Sequence, residues 1–424
     1  MSKITKKEYG EEMEKGFNLR TAMEEASRCL LCHDSPCSKG CPAGTDPGKF
    51  IRSLRFRNIK GAAETVRENN PLAGCCAQVC PYGKMCEQAC SRTGIDKPIE
   101  IGKIQRFLVE EEKKQNMEFL KAAEPKKEKI ACVGAGPASL SCARQLALEG
   151  YSVTVYEAQD KAGGVLTYGI IPTRLPQEVV DFDIQTIEKL GVEFKFNESI
   201  DAAKLEALKS DYDAVFVGAG LWKSKMVDIP GKDLEGVVTA IDFLREAKTN
   251  TDQLLLGENV IVIGGGDVAM DCVTTAKQLG AKATIVYRRT IEEAPADMDE
   301  VSFVQSMGIP IIQEFAPAEI VGENGHVTAM RFEGRDGESG LTMKTDQVVL
   351  AIGQVVGDDV AGIADGDNVF TGGDMVNGGK TVVEAVAEGK EAAEKIADHF
   401  NKYKGGIEYV RKERFINRFF RSQM

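Results

Sequence analysis

The chain has 424 residues, 43% of them hydrophobic, and a formal net charge of -12. That length is more than one ordinary core takes up and predicts two to three domains, while the acidic balance excludes nucleic acid as the main partner. No run approaches the roughly 18 consecutive apolar residues that would span a bilayer, and the opening MSKITKKEYGEEMEKG lacks the apolar core of a secretory signal. The expectation is a cytoplasmic protein whose thiols stay reduced, which turns attention from disulfides to metal or catalysis.

Residues 1 to about 120 read as helical and polar, with no alternating strand pattern. Nine of the twelve cysteines fall here, between Cys29 and Cys90. One run is Cys29-x2-Cys32-x4-Cys37-x3-Cys41-Pro42; the other is Cys76-x3-Cys80-Pro81-x4-Cys86-x3-Cys90. A proline directly after a ligand cysteine is a ferredoxin habit. Zinc is the competing reading, but only His33 is at hand as a nitrogen ligand and paired C-x2-C knuckles are missing. Spacing does not divide nine cysteines between two clusters, because the last cysteine of a run can serve the other cluster.

The charged, proline-containing segment from Glu110 to Lys129 reads as a helix end and a linker. From Ile130 the pattern becomes strand, glycine turn, helix. IACVGAG leads to Gly134, Gly136, Pro137, Ala138 and Ser139, and a second strand ends in Glu157, 21 residues after Gly136. Gly134 permits the tight turn, Gly136 lets the backbone approach a pyrophosphate at the helix N-terminus, and Glu157 suits ribose hydroxyls. Ser139 stands where the third glycine is usual. The pair Gly163-Gly164 follows, and near the C-terminus come Gly373 and Asp374, then Thr381 and Val382 opening a helix. Asp374 suits a ribityl hydroxyl and that helix N-terminus the pyrimidine edge of a flavin. Together these point to FAD, against the plain reading of a turn and an N-cap. No Cys-x4-Cys pair follows Gly164, which speaks against disulfide reduction.

The pattern restarts at Gly264, Gly265, Gly266, Asp267 and Val268, and its next strand ends in Arg288 and Arg289 rather than an acid. Arginine suits a 2′-phosphate, but Glu292 and Glu293 stand nearby, so NADH and NADPH both remain open. The strands DAVFVGAG and QVVLAIG are expected to mark crossings between the two nucleotide domains. Cys132, Cys142 and Cys272 read as small core residues. The tail beyond Gly406 is basic and aromatic and reads as a terminal helix, with docking on a partner or a membrane surface as the other option.

The run Ser27 to Cys37, the segment Asp46 to Ser53, Gly61 to Glu64, Arg67 to Asn70 and Ile101 to Phe107 resemble the flavin subunit of bacterial dihydropyrimidine dehydrogenase. A more distant version forms the small subunit of glutamate synthase. The resemblance runs from about Ala22 to Lys395. It implies two 4Fe–4S clusters with crossed ligation: Cys29, Cys32, Cys37 and Cys90 for one, and Cys41, Cys80, Cys86 and the side-chain oxygen of Gln105 for the other. Cys76 is then a neighbour and Cys75 is extra. Gln105 and Ser139 favour the dihydropyrimidine branch, since glutamate synthase relatives tend to carry glutamate and glycine there. The resemblance also brings Arg174 to FAD, and Gly265 to Val268 with Arg288 and Arg289 to NAD(P).

The expected fold is α/β: an all-helical iron–sulfur domain over 1–125, an FAD domain over 126–226 and 345–405, an NAD(P) domain inserted at 227–344, and a tail at 406–424. The expected activity is electron input: NAD(P)H to FAD, then through two clusters to an FMN and iron–sulfur partner subunit that reduces uracil or thymine, in a hetero-oligomer. Three domains use the whole length, which leaves no room for an FMN barrel here, and no acid or nucleophile is expected to be catalytic. The alternatives are a glutamate synthase small subunit, a ferredoxin:NAD(P) oxidoreductase, and a non-catalytic zinc and nucleotide-binding regulator.

Overall fold

The computed structural model describes residues 15–364 and 366–403; the basic tail expected at 406–424 lies outside them. Among the described residues before Lys129 there is no strand. Helices Leu19–Ser27, Pro47–Arg55 and Ile59–Asn69 start at Asn18, Asp46 and Asn58, whose side chains accept from the backbone N–H groups of Thr21, Lys49 and Gly61. Those caps satisfy donors that a helix start leaves open. With helix Ile101–Lys114 they bury Phe50, Ile51, Leu54, Val66, Ile104 and Leu108 in one core. Short elements, Pro36–Lys39, Ala73–Val79, Tyr82–Lys84 and Ser91–Gly94, carry or flank the cysteines.

Two parallel five-stranded sheets follow. The first has the order Val369–Thr371, Ala214–Val217, Lys129–Val133, Ser152–Tyr156, Glu193–Lys195. Its central strands are buried on both faces, as helices on either side require. Helix Pro137–Leu148 packs against Val382–Tyr403, where the Ser141 hydroxyl donates to the Val386 carbonyl at 2.7 Å.

The second sheet has the order Val237–Thr239, Gln347–Leu350, Asn259–Ile263, Lys282–Tyr287, Ile311–Gln313. One face takes helices Ala240–Thr249 and Asp267–Gln278 through Phe243, Leu244, Met270 and Val273. The other is covered by an antiparallel meander, Phe315–Glu323, His326–Gly334 and Gly340–Lys344, which sets Ile320, Met330 and Phe332 on Ile261 and Ile263. The strand Gln347–Leu350 therefore belongs to the second sheet, and the return to the FAD domain expected at 345 falls after it. A run buried on both faces reads the same in either sheet; its pairing with Asn259–Ile263 and Val237–Thr239 decides. A two-stranded antiparallel ribbon, Lys223–Ser224 with Gln354–Val355, joins the outgoing and returning chain.

Buried polar contacts dock the helical part on the first sheet domain. Arg67, 1% exposed, donates to Glu112 through Nη2 at 2.9 Å and to Asp183 through Nη1 at 2.8 Å. Asp183 also accepts from the N–H groups of Gly74 and Cys75 at 3.2 and 2.9 Å, which start helix Ala73–Val79. Arg144 donates to the carbonyls of Arg67 and Glu68, and Lys390 to those of Ala43 and Asn69. The cysteine-bearing loops thus hold a set position against the first sheet.

Candidate functional site

The first glycine turn, the helix start at Asp267 and Val268 after the second, and the loop carrying Cys80 line one cavity of about 1250 Å³, larger than the roughly 300–1,000 Å³ of ordinary ligand pockets. Gly134, at φ +86°, passes close to the end of the neighbouring strand: a Cβ there would sit 2.8 Å from the Gly218 carbonyl oxygen. A Cβ on Gly136 would meet nothing within 4 Å, so its backbone faces the open cavity. A Cβ on Gly164, by contrast, would lie 2.9 Å from the Gly136 Cα, which ties the glycine pair to the turn. Pro137 and Ala138 line the same wall. Ser139 is fully buried, its hydroxyl 3.4 Å from the Val133 carbonyl, and fills the usual third-glycine position without blocking helix and sheet.

Glu157 lines this wall; its carboxylate accepts from the N–H groups of Ala135 at 2.7 Å and Gln159 at 2.9 Å, and burial pushes its pKa up. At the far side Asp374 accepts from the Lys380 N–H at 3.1 Å, and burial raises its pKa too. Gly373 and Val382 line the cavity beside it. Thr381 and Glu384 exchange bonds, Thr381 Oγ1 donating at 2.7 Å, and so cap the helix that starts at Val382. The Thr173 hydroxyl is buried in the cavity wall with no hydrogen-bond partner among the described residues. An open backbone cradle, the buried Glu157, the half-buried Asp374 and an orphaned hydroxyl fit a flavin dinucleotide.

In the second turn a Cβ on Gly264 would strike the Ala351 carbonyl at 2.2 Å, and one on Gly265 the Tyr287 ring at 2.5 Å. Gly266 faces open space, its nearest neighbour being Pro295 at 3.8 Å. Asp267 and Val268 line the cavity, and the Asp267 carboxylate accepts from the Asp297 N–H at 2.7 Å. These positions fit a pyrophosphate-bearing nucleotide. Arg288 and Arg289 are exposed and do not line the cavity. Arg174 does, but it is held between the domains by carboxylates of the second one, Asp271 at 2.9 Å and Glu300 at 2.8 Å. Burial pushes Glu300 up to about 7, overriding Arg174, with Asp271, Asp267 and Asp297 adding to the rise.

The cysteines sort into two groups. Burial raises the Cys29 thiol, and the neighbouring Cys90 and Cys32 thiols raise it further; Cys37 is pushed up to about 11 by burial with Cys90 and Cys29 beside it. The Cys80 thiol is raised first by its bond with Cys76, then by burial, with Cys41 and Cys86 close by. Cys86 also neighbours Cys37, so the groups are adjacent. Cys29, Cys37, Cys86 and Cys90 pack in or on the helical core, whereas Cys41 and Cys80 pack on the first sheet domain, and Cys80 lines the cavity. Gln105 is buried and its Nε2 donates to the Ala73 carbonyl at 2.8 Å, which leaves the amide oxygen for another partner. Among the described residues no three His, Cys, Asp or Glu converge on a single ion. Cubane ligands each take a different iron, so a wider set of thiols fits a 4Fe–4S donor set.

Residue reasoning did not single out Thr173, Asp271, Glu300 or Gly389. A Cβ on Gly389 would lie 2.1 Å from the Ala138 carbonyl, so this glycine admits helix Val382–Tyr403 against the FAD turn. The available signal was a glycine inside a long helical pattern, which costs about 1 kcal/mol relative to alanine.

Residues 5–117 match the family model for dihydropyrimidine dehydrogenase domain II, 4Fe-4S cluster, and residues 128–389 that for pyridine nucleotide-disulphide oxidoreductase. The chain is 43% identical over 404 residues to the NAD-dependent dihydropyrimidine dehydrogenase subunit PreT of Escherichia coli (strain K12), covering 92% of this chain and 96% of that one. It is 32% identical to the NADP(+)-dependent formate dehydrogenase subunit beta of Moorella thermoacetica, over 85% of this chain and 59% of that one. In fold it is similar to FprA of Mycobacterium tuberculosis in complex with NADPH, at TM-score 0.57 and 18% identity over 66% of this chain and 86% of that one. No helix among the described residues is long and apolar enough to cross a membrane.

Proposed function

This chain belongs to the family of the PreT subunits of NAD-dependent dihydropyrimidine dehydrogenase, NAD(P)H-dependent oxidoreductases with FAD and 4Fe–4S clusters, and on that footing we propose that it is the electron-input subunit of a hetero-oligomeric pyrimidine reductase. The single observation that carries this is the shared cavity, whose wall includes Gly136, Val268 and Cys80. When bound, the nicotinamide supplies a hydride to FAD, and the clusters pass single electrons on to an FMN and iron–sulfur partner that reduces uracil or thymine.

The residues of this chain bind and position. Gly134, Gly136, Glu157, Gly164 and Asp374 would hold the flavin dinucleotide, and the helix starting at Val382 would supply its positive end to it. Gly264 to Val268 hold the nicotinamide dinucleotide. The exposed Arg288 and Arg289, with Glu292 and Glu293 close in sequence, favour NADH, in keeping with the relative's name. Cys41, Cys80, Cys86 and Gln105 hold the inner cluster; Cys29, Cys32, Cys37 and Cys90 hold the outer one. This order is supported by Cys80, the one of these eight residues that lines the cavity.

Anaerobic co-purification tests the reading. The expected result is an FMN-bearing subunit that reduces uracil with NADH only when joined to this chain, which alone reduces artificial acceptors. Uracil turnover by the chain alone, or co-purification of a glutamine amidotransferase subunit, refutes it.

A further inference from the structure

The outer cysteine group sits in surroundings unlike the rest of the helical part. Cys29, Cys32, Cys37 and Cys90 are all partly exposed. Among the described residues four large apolar side chains of the helical part stand exposed, and three of them, Leu30 at 44%, Phe56 at 72% and Ile95 at 64%, flank this group. Leu30 lies between Cys29 and Cys32. Phe56 follows Arg55, whose Nη1 donates to the Cys29 carbonyl at 3.0 Å. Ile95 precedes Asp96, which joins Arg28 and Arg92, and Arg92 Nη1 donates to the Arg28 carbonyl at 2.9 Å. All three side chains therefore hang on residues anchored at Arg28–Cys29.

The charge of this region is opposite to that of the chain. Residues 51–60, IRSLRFRNIK, hold Arg52, Arg55, Arg57 and Lys60 and no acid, in a protein of net charge -12. Arg52, Arg57 and Lys60 are exposed. Among the described residues Arg52, Arg57 and Lys60 form no ion pair, while Asp34 is paired with Lys39 and Asp96 with Arg28 and Arg92; Glu64, one turn on from Lys60, is the acid in reach of this stretch. An apolar centre ringed by uncompensated cations has the makeup of a protein contact, with apolar burial for affinity and charge for steering.

We propose that Leu30, Phe56 and Ile95, with Arg57 and Lys60, form the docking face for the electron-accepting partner, and that the partner presents an acidic surface around its own iron–sulfur group. This rests on the electron-input reading and names the face and the charge it selects. A cationic rim around a cluster suits an acidic iron–sulfur surface, because the rim offsets the negative charge of both thiolate-ligated centres. It also orients the encounter so that the outer group, not the cavity, meets the acceptor.

The test compares the cofactor-loaded full chain with Phe56→Glu, Ile95→Glu and the double variant Arg57→Glu/Lys60→Glu, none of which touches a cysteine. NADH-driven reduction of a small dye reports cofactor content and the input half; NADH-driven uracil reduction is titrated with the FMN subunit. The expected result is unchanged dye reduction, a KM for the partner raised at least tenfold, and a flatter salt dependence for the double variant. A partner KM within twofold of the parent in all three variants overturns the proposal. So does a parent dimer that the variants dissociate with partner KM unchanged, which makes the face a self-contact. If the parent drives no uracil reduction with any FMN subunit, the pyrimidine reading fails by itself. The variants are then scored on an acidic 4Fe–4S ferredoxin, where a tenfold loss supports the face and parity overturns it.

Discussion

Asp183→Ala is expected to loosen the helical part from the flavin domain and to release the inner cluster before the outer one. Asp183 is fully buried and takes three bonds, from Arg67 at 2.8 Å, Gly74 N–H at 3.2 Å and Cys75 N–H at 2.9 Å. Alanine leaves two buried N–H groups without acceptors, at about 1–3 kcal/mol each. It also strips one carboxylate from Arg67. Arg67 keeps Glu112 at 2.9 Å, so the guanidinium is not left alone. The total is therefore about 2–6 kcal/mol, set by the two orphaned N–H groups. Structurally the loss falls at the start of helix Ala73–Val79, and that helix ends at Cys80. Iron and acid-labile sulfide per chain, with anaerobic calorimetry, measure the outcome: about half the iron lost and an early undocking transition. Full iron content with a thermal midpoint within about 2 °C of the parent refutes the reasoning.

Gln105→Ala should remove about half the iron while leaving flavin content intact, read by iron analysis and low-temperature spin resonance. Gly389→Ala forces a Cβ to within 2.1 Å of the Ala138 carbonyl; the helix must shift at the flavin turn, and at least a tenfold weaker hold on FAD is expected in a dialysis assay. Glu300→Gln should abolish a pH step in NADH-driven dye reduction. Burial raises this carboxyl from 4.5 to about 7 in the fold. Its protonated form therefore stabilises the folded domain fully below 4.5, and that contribution is lost as pH rises through about 7. The parent profile should bend near 7, where the ion pair with Arg174 forms, and the glutamine profile should not.

Much of the site was legible locally. A buried strand, a glycine that must turn and a helix start lie within a dozen residues, so Gly134, Gly136, Gly264 and Gly266 can be placed from chain order and backbone sterics alone. Glu157 follows because the second strand has to end beside the first turn. The cysteine groups were less accessible: Cys90 neighbours Cys29 and Cys37 across the whole helical part, and spacing carries no information about such closure. Only family likeness divided them in advance. Arg174 shows the same limit, since its partners Asp271 and Glu300 come from another domain.

What the sequence by itself determined, then, is whatever short-range physics enforces: the two nucleotide turns and the donor chemistry of the cysteines. Tertiary structure alone decided what depends on long-range pairing. It assigned the strand Gln347–Leu350 to the second sheet, left Arg288 and Arg289 outside the cavity, and set the Asp183 carboxylate under helix Ala73–Val79. It also put Cys80 in the wall of the cavity that holds both nucleotide turns' helix starts. The reason is physical. Hydrophobic periodicity states that a segment must be buried, and not which of two similar sheets will bury it.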